Sequence, residues 1–187
     1  LHPRVRRQRQ MCIRDRQGIA EQGLRLYFLS SPFAAYNLLL ATLFPSVERA
    51  LPAAVERDVT LLVETAGAFS DTAKLRDFLM RFSDDHLAAL WDLHHPYFYG
   101  GEDPETTIRN LGAYVRHVHV KDSAPAPDGR AYCLVGEGEL PLGDMIVALS
   151  SVNYDGYLSL EWNPAWMPEL DDMEICLLYT SDAADEL

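Results

Sequence analysis

Apolar residues fall along this chain in two kinds of run, and the two kinds alternate. Short, continuous, β-prone runs end abruptly on a polar or turn residue. Longer stretches carry apolar residues at helical spacing. Gly23–Leu29 is the first short run and stops at Ser30-Ser31-Pro32. A helical region follows from about Ala35 to Glu56, expected to be interrupted or kinked at Pro45 and Pro52. Val59–Glu64 is β-branched and apolar, which predicts a strand buried on both faces. Ser70-Asp71 caps the next helix, where Leu75, Phe78, Leu79 and Phe82 recur on one side. Leu87–Trp91 is a third strand that ends on Asp92.

A loop rich in His, Pro, Tyr and Gly then reaches Gly101, and Asp103-Pro104 opens a helix through Leu111. Val115–Val120 is the fourth strand. Residues 121–138 hold prolines and glycines among polar residues and are expected to form a long loop. Leu142–Ser151 is helical, Tyr154-Asp155-Gly156 turns the chain, and Tyr157–Leu160 is a fifth strand that ends at Glu161. Strands alternating with helices predict an α/β fold with parallel strands and crossover helices. Periodicity alone does not separate an open sheet from a closed barrel. Neither GxGxxG nor GxxxxGK[ST] occurs, so the usual nucleotide-binding versions of the open sheet lack support.

The ends depart from this pattern. Leu1–Arg16 holds six of the sixteen basic residues without any helical or strand period, and Ile175–Leu187 does not continue the logic of what precedes it. Within them, MCIRDR and CLLYTSDAADE resemble translated sequencing-adapter read-through. Residues 1–16 and 175–187 are therefore read as non-native extensions, and residues 17–174 as the single domain. That domain carries ten basic and twenty-four acidic side chains, a net charge of −14. A surface so acidic argues against nucleic acid as a partner. No apolar run is long enough to span a bilayer, so no membrane association is expected. Of three cysteines only Cys133 lies in the domain, which fits a reducing, cytoplasmic setting.

The chemistry is positional. Four of the five strands end on a side chain able to ligate a metal: Glu64, Asp92, His119 and Glu161. In parallel α/β folds the C-terminal strand ends form the ligand-binding face. One such residue is unremarkable, since a lone carboxylate caps a helix or sits at an exposed edge. Four at successive strand ends predict four donors around one point. Three carboxylates and one imidazole suit one divalent ion, with Mn²⁺, Co²⁺ or Mg²⁺ favoured and Zn²⁺ also accommodated. His117 shares the strand face of His119, because both alternate with valines.

Leu61–Glu64, Trp91–Pro96, Arg116–Asp122 and Leu158–Trp162, with Gly136-Glu137-Gly138-Glu139 and Tyr154-Asp155-Gly156, resemble the motif series of xylose-isomerase-like TIM barrels. The resemblance covers residues 20–174. It implies a partial (β/α)8 barrel holding strands 4 to 8 and their helices, because a whole barrel needs about 250 residues. It also implies that Glu64, Asp92, His119 and Glu161 ligate the metal and that Glu64 and Glu161 are the catalytic pair. His95 then contacts substrate and contributes to catalysis, His117 and Lys121 lie on the substrate side, and Asp122 orients His119 or Lys121. The ketose epimerases of this family carry an arginine six residues after the ligand histidine, where this chain has Pro125.

The function implied is a divalent-metal-dependent isomerase or epimerase. It acts on a small carbohydrate or polyol ketone, by proton transfer through a metal-stabilised enediolate. A dehydratase of an inosose-like substrate would use the same site. An endonuclease IV-like phosphodiesterase and a non-catalytic sugar-binding barrel are the rivals from other classes. A fragment lacking three strands leaves the chain's own activity open, and the sequence is silent on oligomeric state.

Overall fold

The computed structural model describes residues 36–162, apart from residue 128 and the side chains of 37 and 38. The expected strand at Gly23–Leu29, the start of the first helix at Ala35 and both terminal extensions lie outside the described residues.

The first described helix, α1 (Tyr36–Glu56), runs through Pro45 and Pro52, which corrects the expectation of an interruption there. A proline in a helix frees the carbonyl four residues earlier, here those of Ala41 and Glu48. Both residues lie on the exposed side of α1, where water satisfies the freed groups. The opposite side, with Leu39, Leu43, Phe44 and Val47, packs into the core and holds the helix in place.

β1 (Leu61–Glu64), β2 (Leu87–Asp92), β3 (Val115–Val120) and β6 (Leu158–Leu160) form one sheet in the order β1-β2-β3-β6, all pairs parallel. The connections carry α2 (Thr72–Leu79), the short α3 (His94–Phe98), α4 (Pro104–Leu111) and α5 (Leu142–Ser151). Two predicted caps are present. Asp71 accepts from the Lys74 amide at 3.4 Å and Asp103 from the Thr106 amide at 2.7 Å.

The strands sort their side chains by alternation. Leu87, Ala89 and Trp91 on β2, and Val115 and Val118 on β3, join the core with Leu75, Phe78 and Leu111 from the helices. The intervening residues face the other way. Val115 and Val118 share a face although three residues apart, because β3 slips one position against β2: Ala89 pairs with Val115 but Leu90 with His117. β1 is only half-buried along its length, and Val59 is exposed and precedes the strand. The expected burial on both faces is therefore corrected, since β1 is an edge of the sheet among the described residues.

Residues 121–138 are not a plain loop. They hold an antiparallel hairpin of β4 (Asp122–Ala126) and β5 (Gly129–Cys133), with Ser123 opposite Tyr132 and Pro125 opposite Arg130. Proline is tolerated because both strands of a two-stranded ribbon are edges.

Candidate metal centre at the strand ends

The parallel register carries the four predicted side chains to one end of the sheet. Asp92, the last residue of β2, pairs with His119. Glu64 closes β1 opposite Leu90, and the Glu161 amide donates to the Val120 carbonyl at 2.9 Å just beyond β6. One ligand atom from each of Glu64, Asp92, His119 and Glu161 lies within 4.8 Å of the others. His119 Nδ1 faces Glu64 Oε1 at 3.4 Å and Glu161 Oε2 at 4.0 Å. That nitrogen is buried and makes no well-formed hydrogen bond. Burial disfavours an imidazolium at His119. The pull of Glu64, Glu161 and Asp92 outweighs it and raises the pKa above the usual histidine value.

Asp92 divides its two oxygens. Oδ1 accepts from the amides of His94 at 2.9 Å and His95 at 3.2 Å, which secures the first turn of α3. Oδ2 points into the cluster, where Lys121 Nζ lies 2.6 Å away. A carboxylate that caps a turn and one that faces a cation are thus the same side chain. Lys121 is also 2.6 Å from Glu161 Oε2, so its ammonium bridges two of the four carboxylate and imidazole groups. Its pKa is raised, because the attraction of Asp92 and Glu161 exceeds the burial that opposes its charge. Lys121, expected on the substrate side, has its head group within the cluster.

His95 stands beside the cluster on α3. Its Nδ1 is buried without a hydrogen-bond partner, and its ring lies 5.6 Å from that of Tyr99. Burial lowers its pKa against the opposing field of Asp92, Glu64 and Glu161. His117 lies one step earlier on β3 and meets the ring of His119 edge-on at 5.4 Å. It is kept neutral by burial and by that neighbour.

Asp122 does not orient His119 or Lys121. It is fully buried and accepts four backbone N–H groups: Ser123 at 2.8 Å, Gly136 and Gly138 at 3.0 Å each, and Leu140 at 3.2 Å. A side chain at Gly138 would collide with Asp122 Oδ1, and Gly136 has φ +94°. The Gly-Glu-Gly-Glu stretch is therefore built to wrap its backbone around a carboxylate. The hairpin that Asp122 anchors also reaches α3. Arg130 lies 3.6 Å over the Phe98 ring and donates to Ser123 Oγ, which is 2.7 Å from His94 Nε2. Tyr132 sets its ring 5.6 Å from Lys121 Nζ. None of Tyr132, Ser123 or Arg130 carried a sequence signal, because their placement depends on the hairpin.

Three carboxylates and an imidazole whose buried Nδ1 lacks a good partner, gathered at the C-terminal strand ends, are a donor set that fits a divalent cation. The fold and this group define a partial parallel α/β barrel with a metal-capable centre at its mouth. The xylose isomerase-like TIM barrel family model matches residues 23–175, and the chain belongs to that family. Solved structures agree in fold. A xylose isomerase domain protein from Planctomyces limnophilus is 18% identical, with 84% of this chain and 54% of that one covered and a TM-score of 0.63. A 3-keto-D-glucoside 4-epimerase from E. coli is 17% identical over 73% of this chain and 51% of its own, with a TM-score of 0.56. A probable 3-DHS dehydratase from Bacillus anthracis is 19% identical over 63% and 49%, with a TM-score of 0.53. The chain thus spans about half the length of each of these three. No curated protein sequence matches it. No helix among the described residues is long and apolar enough to cross a membrane.

Proposed function

We propose that this chain is the metal-binding, C-terminal part of a divalent-metal-dependent isomerase or epimerase acting on a small carbohydrate or polyol ketone. The observation that carries the reading is the convergence of Glu64, Asp92, His119 and Glu161 within 4.8 Å. Mn²⁺, Co²⁺ or Mg²⁺ suits this oxygen-rich set best. A divalent ion held there supplies Lewis-acid stabilisation of the negative charge that develops on a substrate oxygen.

The chain's own residues do the rest. Glu64 and Glu161 come from the two outer strands of the sheet and flank His119 at 3.4 and 4.0 Å. One takes the proton α to the substrate carbonyl and the other returns it from the opposite face. His95, neutral and with an unpartnered ring nitrogen, offers a hydrogen bond to a substrate hydroxyl. Half-buried His117 meets the His119 ring edge-on and bounds the substrate side. The same proton abstraction also serves a dehydratase, the class of the Bacillus anthracis structure. The test uses the protein with the remaining barrel strands in place and follows α-deuterium exchange from substrate into solvent. Glu64→Gln and Glu161→Gln should each abolish exchange, and His95→Ala should raise KM while metal content holds. Full exchange in either glutamate variant rejects the two-base reading.

A further inference from the structure

Lys121 lies just past the end of β3, two residues after His119. Its side chain is almost fully buried, and its Nζ lies 2.6 Å from both Asp92 Oδ2 and Glu161 Oε2. Asp92 Oδ1 is already committed to the amides that open α3, so Oδ2 is the oxygen left for any other partner. The ammonium therefore holds the very oxygen that Asp92 has to give to a metal.

We infer that Lys121 is a built-in competitor cation: in the metal-free protein it bridges Asp92 and Glu161, and a divalent ion takes these carboxylates by displacing it. The inference rests on the metal reading of the site proposed above. Carboxylates crowded within 4.8 Å repel one another, and a positive charge among them relieves that repulsion before any ion arrives. Whatever the lysine contributes to the metal-free state is subtracted from metal affinity, because a ligand gains only the difference between the two states. Lys121 thus keeps the ligands assembled and makes the metal exchangeable.

The experiment titrates Mn²⁺ by calorimetry into the full chain and into Lys121→Met and Glu64→Gln variants, with Tm read in the absence and presence of Mn²⁺. Methionine preserves the length of the side chain and removes its charge. Lys121→Met should bind Mn²⁺ at least tenfold more tightly than the unaltered chain, and its metal-free Tm should fall. Glu64→Gln, at a residue that is not one of the lysine's ion-pair partners, should bind at least tenfold more weakly. Equal or weaker binding by Lys121→Met, with Glu64→Gln still impaired, overturns the competitor role and leaves the metal site standing. Absence of Mn²⁺ binding in the unaltered chain and in Lys121→Met overturns the metal reading itself. Amine acylation of the unaltered chain, followed by mass spectrometry, gives a second measurement should the methionine variant fail to fold. Mn²⁺ should increase labelling at Lys121, and unchanged protection counts against displacement.

Discussion

The strand ends and the β4–β5 hairpin are built on different principles, although they touch. At the strand ends, chemistry rides on regular structure. A parallel register and strict alternation deliver Glu64, Asp92, His119 and Glu161 to one place, and each is half-buried or buried with room for another partner. In the hairpin, one carboxylate organises irregular backbone. Asp122 spends its capacity on four amides, so it has none left for chemistry. Two buried aspartates thirty positions apart thus have opposite jobs. Asp92 keeps one oxygen for the cluster, and Asp122 keeps neither.

That contrast predicts a double dissociation. Asp122→Ala leaves four backbone donors without their acceptor, and allowing for partial rescue by water this should destabilise the protein by about 4 kcal/mol. Gly138→Ala drives a methyl group into the same carboxylate and should cost about 1–3 kcal/mol. The two losses should not add in a double variant, because both act on one set of hydrogen bonds. Glu64→Gln should change stability little by comparison while weakening Mn²⁺ binding at least tenfold. Chemical denaturation alongside Mn²⁺ titration checks the pair of effects. An Asp122→Ala protein that keeps full stability, or a Glu64→Gln protein that unfolds, erases the distinction.

The same contrast explains what could be read from the sequence. Glu64, Asp92 and Glu161 were legible because each closes an apolar run, and His119 because it alternates with valines at the end of β3. Helices α2 and α4 were legible from their caps, Asp71 and Asp103, and α5 from its apolar sequence. The hairpin was not. Its strands begin with Asp122-Ser123-Ala124-Pro125, which has no alternation to detect, and its geometry comes from contacts made up to eighteen residues later at Leu140. The role of Asp122 was missed for that reason. The pairing of Lys121 with Asp92 and Glu161 was not legible, because strand position fixes a Cβ, whereas a four-carbon side chain chooses its partner in three dimensions. Pro45 and Pro52 do not interrupt α1, because packing of its apolar side holds the helix together across them.

Two histidines carry the comparison into pH dependence. His119 belongs to the strand ends, and its pKa is raised above 6.5 once the carboxylates outweigh burial. Its stabilising contribution to the metal-free protein is present below 6.5 and lost as pH rises through the raised value. Metal binding runs the other way, because only neutral imidazole can ligate. Mn²⁺ affinity should climb about tenfold per pH unit until pH passes the pKa of His119, then level off. His94 belongs with the hairpin through Ser123, and burial together with Lys121, His95 and Arg130 lowers its pKa to about 3. Its neutral form is fully favourable above 6.5, and that stability is lost as pH falls from 6.5 toward about 3. Mn²⁺ dissociation constants and denaturation midpoints over one pH series separate the two. A pH-independent Mn²⁺ affinity would remove His119 from the ligand set.

The smallest effect lies where the two regions meet. Tyr132 on β5 sets its ring 5.6 Å from Lys121 Nζ, close enough for an ammonium to gain from the ring's negative face. The hydroxyl belongs to a half-buried side chain, and burial pushes its pKa up to about 12, so it stays protonated at any working pH. Tyr132→Phe retains the ring and should alter neither stability nor Mn²⁺ affinity measurably. Tyr132→Leu keeps an apolar contact but discards the ring's field, and should cost the metal-free protein about 0.5–1 kcal/mol. If the ammonium leaves Asp92 and Glu161 when metal binds, that cost should disappear in the Mn²⁺-loaded protein. Mn²⁺ affinity of Tyr132→Leu should then rise by a factor of about 2–5, the same free energy read from the other side. Denaturation with and without Mn²⁺ measures both quantities. An equal loss in the two states would mean that the hairpin supports the centre only by packing, and that Lys121 does not move.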